Sequence, residues 1–212
     1  MTTPAPRQAK PHPNKAAISA SRTKALIVQS ACDLIAEGGY DALTAAALTA
    51  RAGVSKGGLY HHFGGMADVA VAAYRQASQR VFGVLGTGSP KTFSDYLDEV
   101  EYVVFERLLA DQKTLRVISE LYPRLILDAS HQQARKESFK TIMDKTSRVL
   151  NDSFVTKIDE EILRKAVNSV ATFVTGLAVQ SREIRDVEES RQLWRWFSEA
   201  LNDRVVAGIK PN

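Results

Sequence analysis

A single cysteine, Cys32, is the whole thiol complement of the 212-residue chain, so no internal disulfide can staple the fold. It stands among Ala31, Leu34 and Ile35 on the side of a helical pattern that should face inward. That reads as core packing, with redox sensing as the alternative. No run of about 18 uninterrupted apolar residues occurs, and the N-terminus has no apolar leader, so a soluble cytoplasmic protein is expected. Strand-like alternation, internal repeats and low-complexity runs are missing too, which leaves an all-α fold. There is no glycine-rich phosphate loop, no GxSxG elbow and no HExxH. The four histidines, His12, His61, His62 and His131, lie too far apart in pattern to suggest a metal cluster. No metal, cofactor or enzymatic activity is therefore expected.

Acidic residues are absent from residues 1–21, which hold four prolines and three basic residues. That composition predicts a disordered basic arm, either passive or lying along a polyanion. Residues 1–65 contain seven Lys/Arg against three Asp/Glu, which accounts for the whole net charge of +4; the basic and acidic residues of the remainder cancel. One end of the molecule is built to attract a polyanion, and the other makes no such demand.

What the chain does have is concentrated in residues 44–63, TAAALTARAGVSKGGLYHHF. Thr44 can cap a first helix rich in alanine, Gly53 suits a left-handed helix end, and Ser55 can cap a second helix two positions later. Leu48, Ala52, Val54, Leu59 and Phe63 fall where the two helices would face each other, a helix-turn-helix. On the outer side, Lys56, Gly57 and Gly58 leave the second helix's first turn nearly bare, before Tyr60, His61 and His62 arrive. Two glycines there cost roughly 1 kcal/mol each in helix propensity, a cost that makes sense if a partner must approach the backbone closely. Free amides, lysine, tyrosine and histidine are all donors to phosphate, so double-stranded DNA is the expected partner. The candidate DNA-binding set is Thr44, Ser55, Lys56, Gly57, Gly58, Tyr60, His61 and His62.

This stretch, together with TKALIVQSACDLIAEGGYDALT before it, resembles the DNA-binding signature of the TetR family of transcriptional regulators over residues 23–69. The resemblance implies a dimer of all-helical subunits, each with a three-helix head (22–65) and a larger ligand-binding and dimerisation body (66–212). By position it places Lys56 and Gly57 at base edges or nearby phosphates, and Tyr60 and His62 on the DNA backbone. Two positions depart from the family pattern. Thr49 replaces the usual alanine inside the first helix of the motif, and Met66 replaces a phosphate-binding lysine after Phe63.

Helical spacing extends through the rest of the chain. Helices are expected over 23–37, 66–85, 93–109 and 114–122, the last stopped by Pro123, and then over 124–151, 158–184 and 190–209. The last two carry more apolar surface than one core requires. Val170, Phe173, Val174, Leu177, Leu193, Trp194, Phe197 and Leu201 are accordingly the expected homodimer interface, packing within the monomer being the alternative. The same two helices do this in the TetR family. Tyr74, Tyr102, Phe105, Tyr122, Phe139 and Phe173, with Tyr96, could line a pocket for a small-molecule effector or be plain core. Two functions follow: a repressor released from its operator by a ligand, or a constitutive DNA-binding or architectural protein whose body serves only dimerisation or protein contacts.

Overall fold

The computed structural model describes residues 15–85, 88–127, 132–180 and 186–208. Among them there are nine α-helices and no strand. Helix α1 spans Lys15–Gly38, and a short 3-10 turn, Tyr40–Ala42, leads into α2 (Ala45–Ala52) and α3 (Lys56–His62). Helix α4 (Met66–Phe82) joins this head to a body made of α5 (Phe93–Tyr102), α6 (Gln112–Leu127), α7 (Gln132–Ser153), α8 (Glu160–Gln180) and α9 (Val187–Ala207).

Several helix ends follow from chemistry a few residues long. Gly39 ends α1 at φ +76°, a conformation that costs a Cβ-bearing residue dearly, and its amide donates to the Ile35 carbonyl at 2.9 Å. In the body, Thr92 and Asp95 form a reciprocal capping box at the start of α5. Helix α5 then widens into a π-turn over Val103–Leu108, where Val103, Val104 and Phe105 are all buried in succession. Arg191 of α9 clamps this turn. It donates to Glu101 at 3.2 Å and Glu106 at 3.0 Å while its guanidinium lies 4.5 Å from the Phe105 ring centre.

One contiguous apolar cluster runs from Ile27 of α1 to Val205 of α9, so head and body share a core. Helix α4 carries Val69, Ala70, Ala73, Ala77 and Val81 into it, packing on α1 at one side and α6 at the other. Helix α8 has the length and mean hydropathy of a membrane-crossing segment, but Leu163, Ala166, Val167, Val170, Val174, Leu177 and Ala178 are buried against the chain's own helices.

Three boundaries differ most from expectation. Helix α1 starts at Lys15 rather than Thr23, so residues 15–21, expected in a disordered arm, are helical; residues 1–14 lie outside the described set. Pro123 sits inside α6 instead of ending it. The expected 124–151 helix is α7, beginning at Gln132, with 128–131 outside the described residues, as is His131.

Candidate nucleic-acid interface

Helices α2 and α3 meet as the cap chemistry requires. The Thr44 hydroxyl oxygen accepts from the Ala47 amide at 3.1 Å, and the Ser55 hydroxyl oxygen accepts from the Gly58 amide at 3.0 Å. Gly53 takes the left-handed conformation at φ +64°, its amide donating to Thr49. The side chain of Thr49 turns back on its own helix, donating to the Ala45 carbonyl at 2.8 Å and the Ala46 carbonyl at 3.1 Å, so the replacement of alanine is absorbed locally. Leu48, Ala52, Leu59 and Phe63 are buried together with Ile27, Ala31, Leu34 and Ile35 of α1, which fixes the pair of helices on a three-helix base.

The base leaves one face of α3 open. Ser55, Lys56, Gly57, Tyr60 and His61 are exposed, while Gly58 and His62 are half-buried, the two histidine rings meeting edge-on at 5.2 Å. A methyl group added at Gly57 would meet nothing closer than the Ser55 hydroxyl at 3.9 Å. Nothing inside the chain requires glycine there. At Gly58 the same test gives 3.4 Å to the Ser55 hydroxyl, so the cap itself limits that position. The Thr44 and Ser55 hydroxyls already serve as helix caps, and each keeps its proton to donate outward.

The neighbouring α4 start is occupied from within the chain. Gly64 donates its amide to the Asp68 carboxylate at 2.9 Å, and half-buried Met66 packs against the core instead of reaching outward as a lysine would. Arg51 at the end of α2 makes a two-pronged pair with Glu37, at 2.7 and 2.6 Å. Those hydrogen bonds from Arg51 hold the Glu37 carboxyl below its ordinary range.

Residues 27–73, which are the buried part of α1, the whole helix-turn-helix and the first half of α4, match the model of "Bacterial regulatory proteins, tetR family". The head of this chain is of the TetR type. The Transposon Tn10 TetC protein of Escherichia coli is 21% identical over 187 residues, covering 84% of this chain and 91% of its own. A TetR family transcriptional regulator from Agrobacterium tumefaciens superposes with a TM-score of 0.62 at 16% identity, covering 86% of this chain and 99% of that one. The multidrug binding protein EbrR, complexed with imidazole, superposes at 0.59 with 21% identity, over 81% of this chain and 92% of that one. Those structural likenesses extend the TetR-type fold through the body.

In the body the sequence-predicted pocket residues do not converge. Tyr74 of α4 and Tyr122 of α6 face each other with ring centres 6.1 Å apart. Phe105 is buried elsewhere under Arg191, Tyr96 packs on Phe93 at 5.8 Å, and Phe173 stacks on Phe197 of α9 at 4.3 Å. Tyr102 is 60% exposed and Phe139 is 52% exposed, so neither lines an interior cavity of the monomer. Sequence spacing could not separate them, because each sits at a helical position whose orientation is decided by helices far along the chain. A polar groove of about 630 Å³ between α7 and α8, lined by Asp144, Arg148, Asn151, Glu160 and Arg164 among others, has no aromatic wall and went unnoticed in the sequence.

The expected dimer face is also divided. Val170, Val174, Leu177 and Trp194 are buried within the chain's own core, Trp194 being 1% exposed. Phe173, Phe197 and Leu201 are half-buried, and only Leu193 is open. The exposed apolar stripe on α9 is instead Leu193, Trp196, Ala200 and Ala207, with Trp196 74% exposed. Beside Cys32 the outcome is plainer: burial, helped by the Asp33 charge, pushes the thiol up to about 11. Its sulfur lies 3.6 Å from the Ala73 carbonyl, so the residue is a packing element and not a reactive thiol.

Proposed function

We propose that this chain is a homodimeric, sequence-specific transcriptional regulator of the TetR type, a repressor released from its operator by a small-molecule ligand. One observation carries the reading: Gly57 leaves the first turn of α3 bare for no internal reason, and the exposed Lys56, Tyr60 and His61 surround it. Such a turn lets the α3 backbone approach a DNA groove, with Lys56 and Gly57 at base edges or adjacent phosphates and Tyr60 and His62 on the backbone. Thr44, Ser55, Gly58 and His61 complete the contact surface.

Dimerisation follows from the α9 stripe. Leu193, Trp196, Ala200 and Ala207 leave an apolar strip uncovered on α9, and Ala171, Thr175, Gly176 and Val179 of α8 are small and partly open. A second copy pairing α8 and α9 with their equivalents buries both, and sets two α3 helices for successive major grooves roughly 34 Å apart. Release operates through α4, which is packed between α1 and α6; a ligand that favours a tilted α4 changes the separation of the two heads. The body's affinity for a small molecule draws on the likeness to EbrR, which was crystallised with imidazole and with ethidium.

The test begins with duplexes selected by the full-length protein from a random-sequence pool. The selected near-palindrome should bind at least about a thousandfold more tightly than its scrambled counterpart. Equal binding to both would sink the reading. Tyr60→Phe should weaken binding to every sequence alike, whereas Lys56→Ala should also relax base preference. Once a ligand emerges from a thermal-shift screen, its affinity should fall about 5- to 150-fold in the presence of the duplex, because coupling of about 1 to 3 kcal/mol acts in both directions. Identical affinities would leave a constitutive DNA-binding protein.

A further inference from the structure

Helix α1 begins well before the core does. From Ile18 on, the first fully buried residue is Ile27, so residues 18–26, about 14 Å of helix at 1.5 Å per residue, precede the packed part. Apart from half-buried Thr23, every residue from Ile18 to Leu26 is exposed. The exit point is fixed by Lys24, whose ammonium lies 5.3 Å from the ring centre of Phe63, the residue that closes α3. The extension therefore leaves the head beside the end of α3.

Its charge is one-sided. No Asp or Glu occurs anywhere before Asp33, while Arg7, Lys10, Lys15, Arg22 and Lys24 all do. A helix end destined for solvent is normally steadied by Glu and Lys pairs one turn apart, and a short unpacked helix is marginal in water without them. Here the like charges are left for a polyanion to compensate. At 100° per residue, Arg22 and Lys24 emerge on nearly opposite sides of the helix. Cations on two sides suit a helix bridging two phosphate backbones better than one lying on a single acidic protein patch. Ser19, Ala20, Ser21 and Ala25 around them are small enough to allow close approach.

We propose that the first half of α1 is a second DNA-contacting surface. It lies over the minor groove that flanks the major groove entered by α3, with Arg22 on one phosphate strand and Lys24 on the other. This rests on the DNA-binding reading above and extends its footprint outward.

The test uses the full-length chain and a duplex selected from a random pool by the wild-type protein. Arg22→Gln and Lys24→Gln are introduced together, with the pair Lys136→Gln and Lys140→Gln on the exposed side of α7 as a control for net charge. The slope of log affinity against log salt should shrink by about 0.9 for each phosphate no longer neutralised, roughly 1.8 per subunit in the Arg22, Lys24 variant, and stay unchanged in the control. Hydroxyl-radical protection of the flanking minor groove should vanish, with base preference under α3 preserved. An Arg22, Lys24 variant with the wild-type slope and footprint would overturn the proposal and leave α3 recognition standing. A wild-type chain unable to tell selected from scrambled duplex would overturn the DNA reading itself, and this surface with it. Unchanged helix content by circular dichroism excludes unfolding as the cause of any loss.

Discussion

Arg116 of α6 donates one guanidinium nitrogen to the backbone carbonyl of Glu37 at 3.1 Å, and the same nitrogen reaches the Ala36 carbonyl at 3.1 Å. The last carbonyls of α1 have no intrahelical partner, so a body helix supplies the cap for a head helix. The Glu37 side chain continues the connection to Arg51 at the end of α2. A few residues away, Arg124 of α6 lies 4.7 Å from the Tyr40 ring centre in the turn that follows α1. Head and body are thus joined along α6 as well as α4.

Arg116→Ala should accordingly destabilise the fold by about 1.5 to 3 kcal/mol, the range for hydrogen bonds to a charged group. Urea denaturation followed by circular dichroism reads the change in midpoint. Arg116→Lys should recover only part of it, since an ammonium cannot reproduce the planar fork. A wild-type midpoint in Arg116→Ala would remove α6 from the connection.

Gly57→Ala offers a split between stability and binding. The added methyl has open space within the chain and gains helix propensity of up to about 1 kcal/mol, so the melting temperature should hold or rise. Affinity for the selected duplex should fall, because the methyl stands where the groove must approach. Fluorescence anisotropy and thermal melting on the same sample check both halves; unchanged affinity would make Gly57 incidental.

The two tryptophans of α9 should behave in opposite ways. Trp194→Ala opens a cavity beside Phe173 and Phe197, and a cost of about 3 to 5 kcal/mol is expected in chemical denaturation. Trp196→Glu should leave monomer folding near wild type while dissociating the dimer at low micromolar concentration in sedimentation velocity. A Trp196→Glu protein that stays dimeric would move the interface off this stripe.

Acid should weaken the fold through carboxylates held below their ordinary range. The backbone amide of Lys91 donates to Asp95 at 2.8 Å, the Thr92 amide adds a second bond at 3.0 Å, and the Thr92 side chain also favours the charged form; Glu37 is held down by Arg51. A depressed folded value means the stabilisation is fully present above the unfolded carboxylate value and is lost as pH falls through the folded one. Melting temperature should therefore drop below about pH 4.5. Asp95→Asn should melt lower than wild type at pH 7 and converge with it near pH 3; parallel curves would exclude this carboxylate.

Cys32 should resist alkylation in the native protein. With the thiol near 11, only about one molecule in a thousand carries the thiolate at pH 8. Iodoacetamide labelling followed by mass spectrometry should be slow in buffer and fast in urea. Rapid native labelling would restore the redox reading.

The parts of this molecule legible in its residues are those whose causes lie within one or two turns of chain. Thr44, Gly53 and Ser55 mark the ends of α2 and α3 because a cap bonds an amide three positions away and a left-handed turn needs no distant help. The bare turn of α3 and the charge asymmetry are visible for the same reason, being properties of composition at a stated spacing. Tertiary packing decided the remainder. Trp194 and Trp196 differ by two positions on one helix, and only packing against α8 and α5 determines that the first is core and the second is surface. Pro123 removes the amide that would bond the Ser119 carbonyl, yet α6 continues through it, its buried Val117, Ile118 and Leu121 packed in the shared core. Tyr102 and Phe139 have the same helical spacing as Phe105, and a π-turn together with the lie of α7 set which of the three is covered. An apolar residue records that it gains by leaving water; which neighbour removes it from water depends on helices brought together across the whole chain.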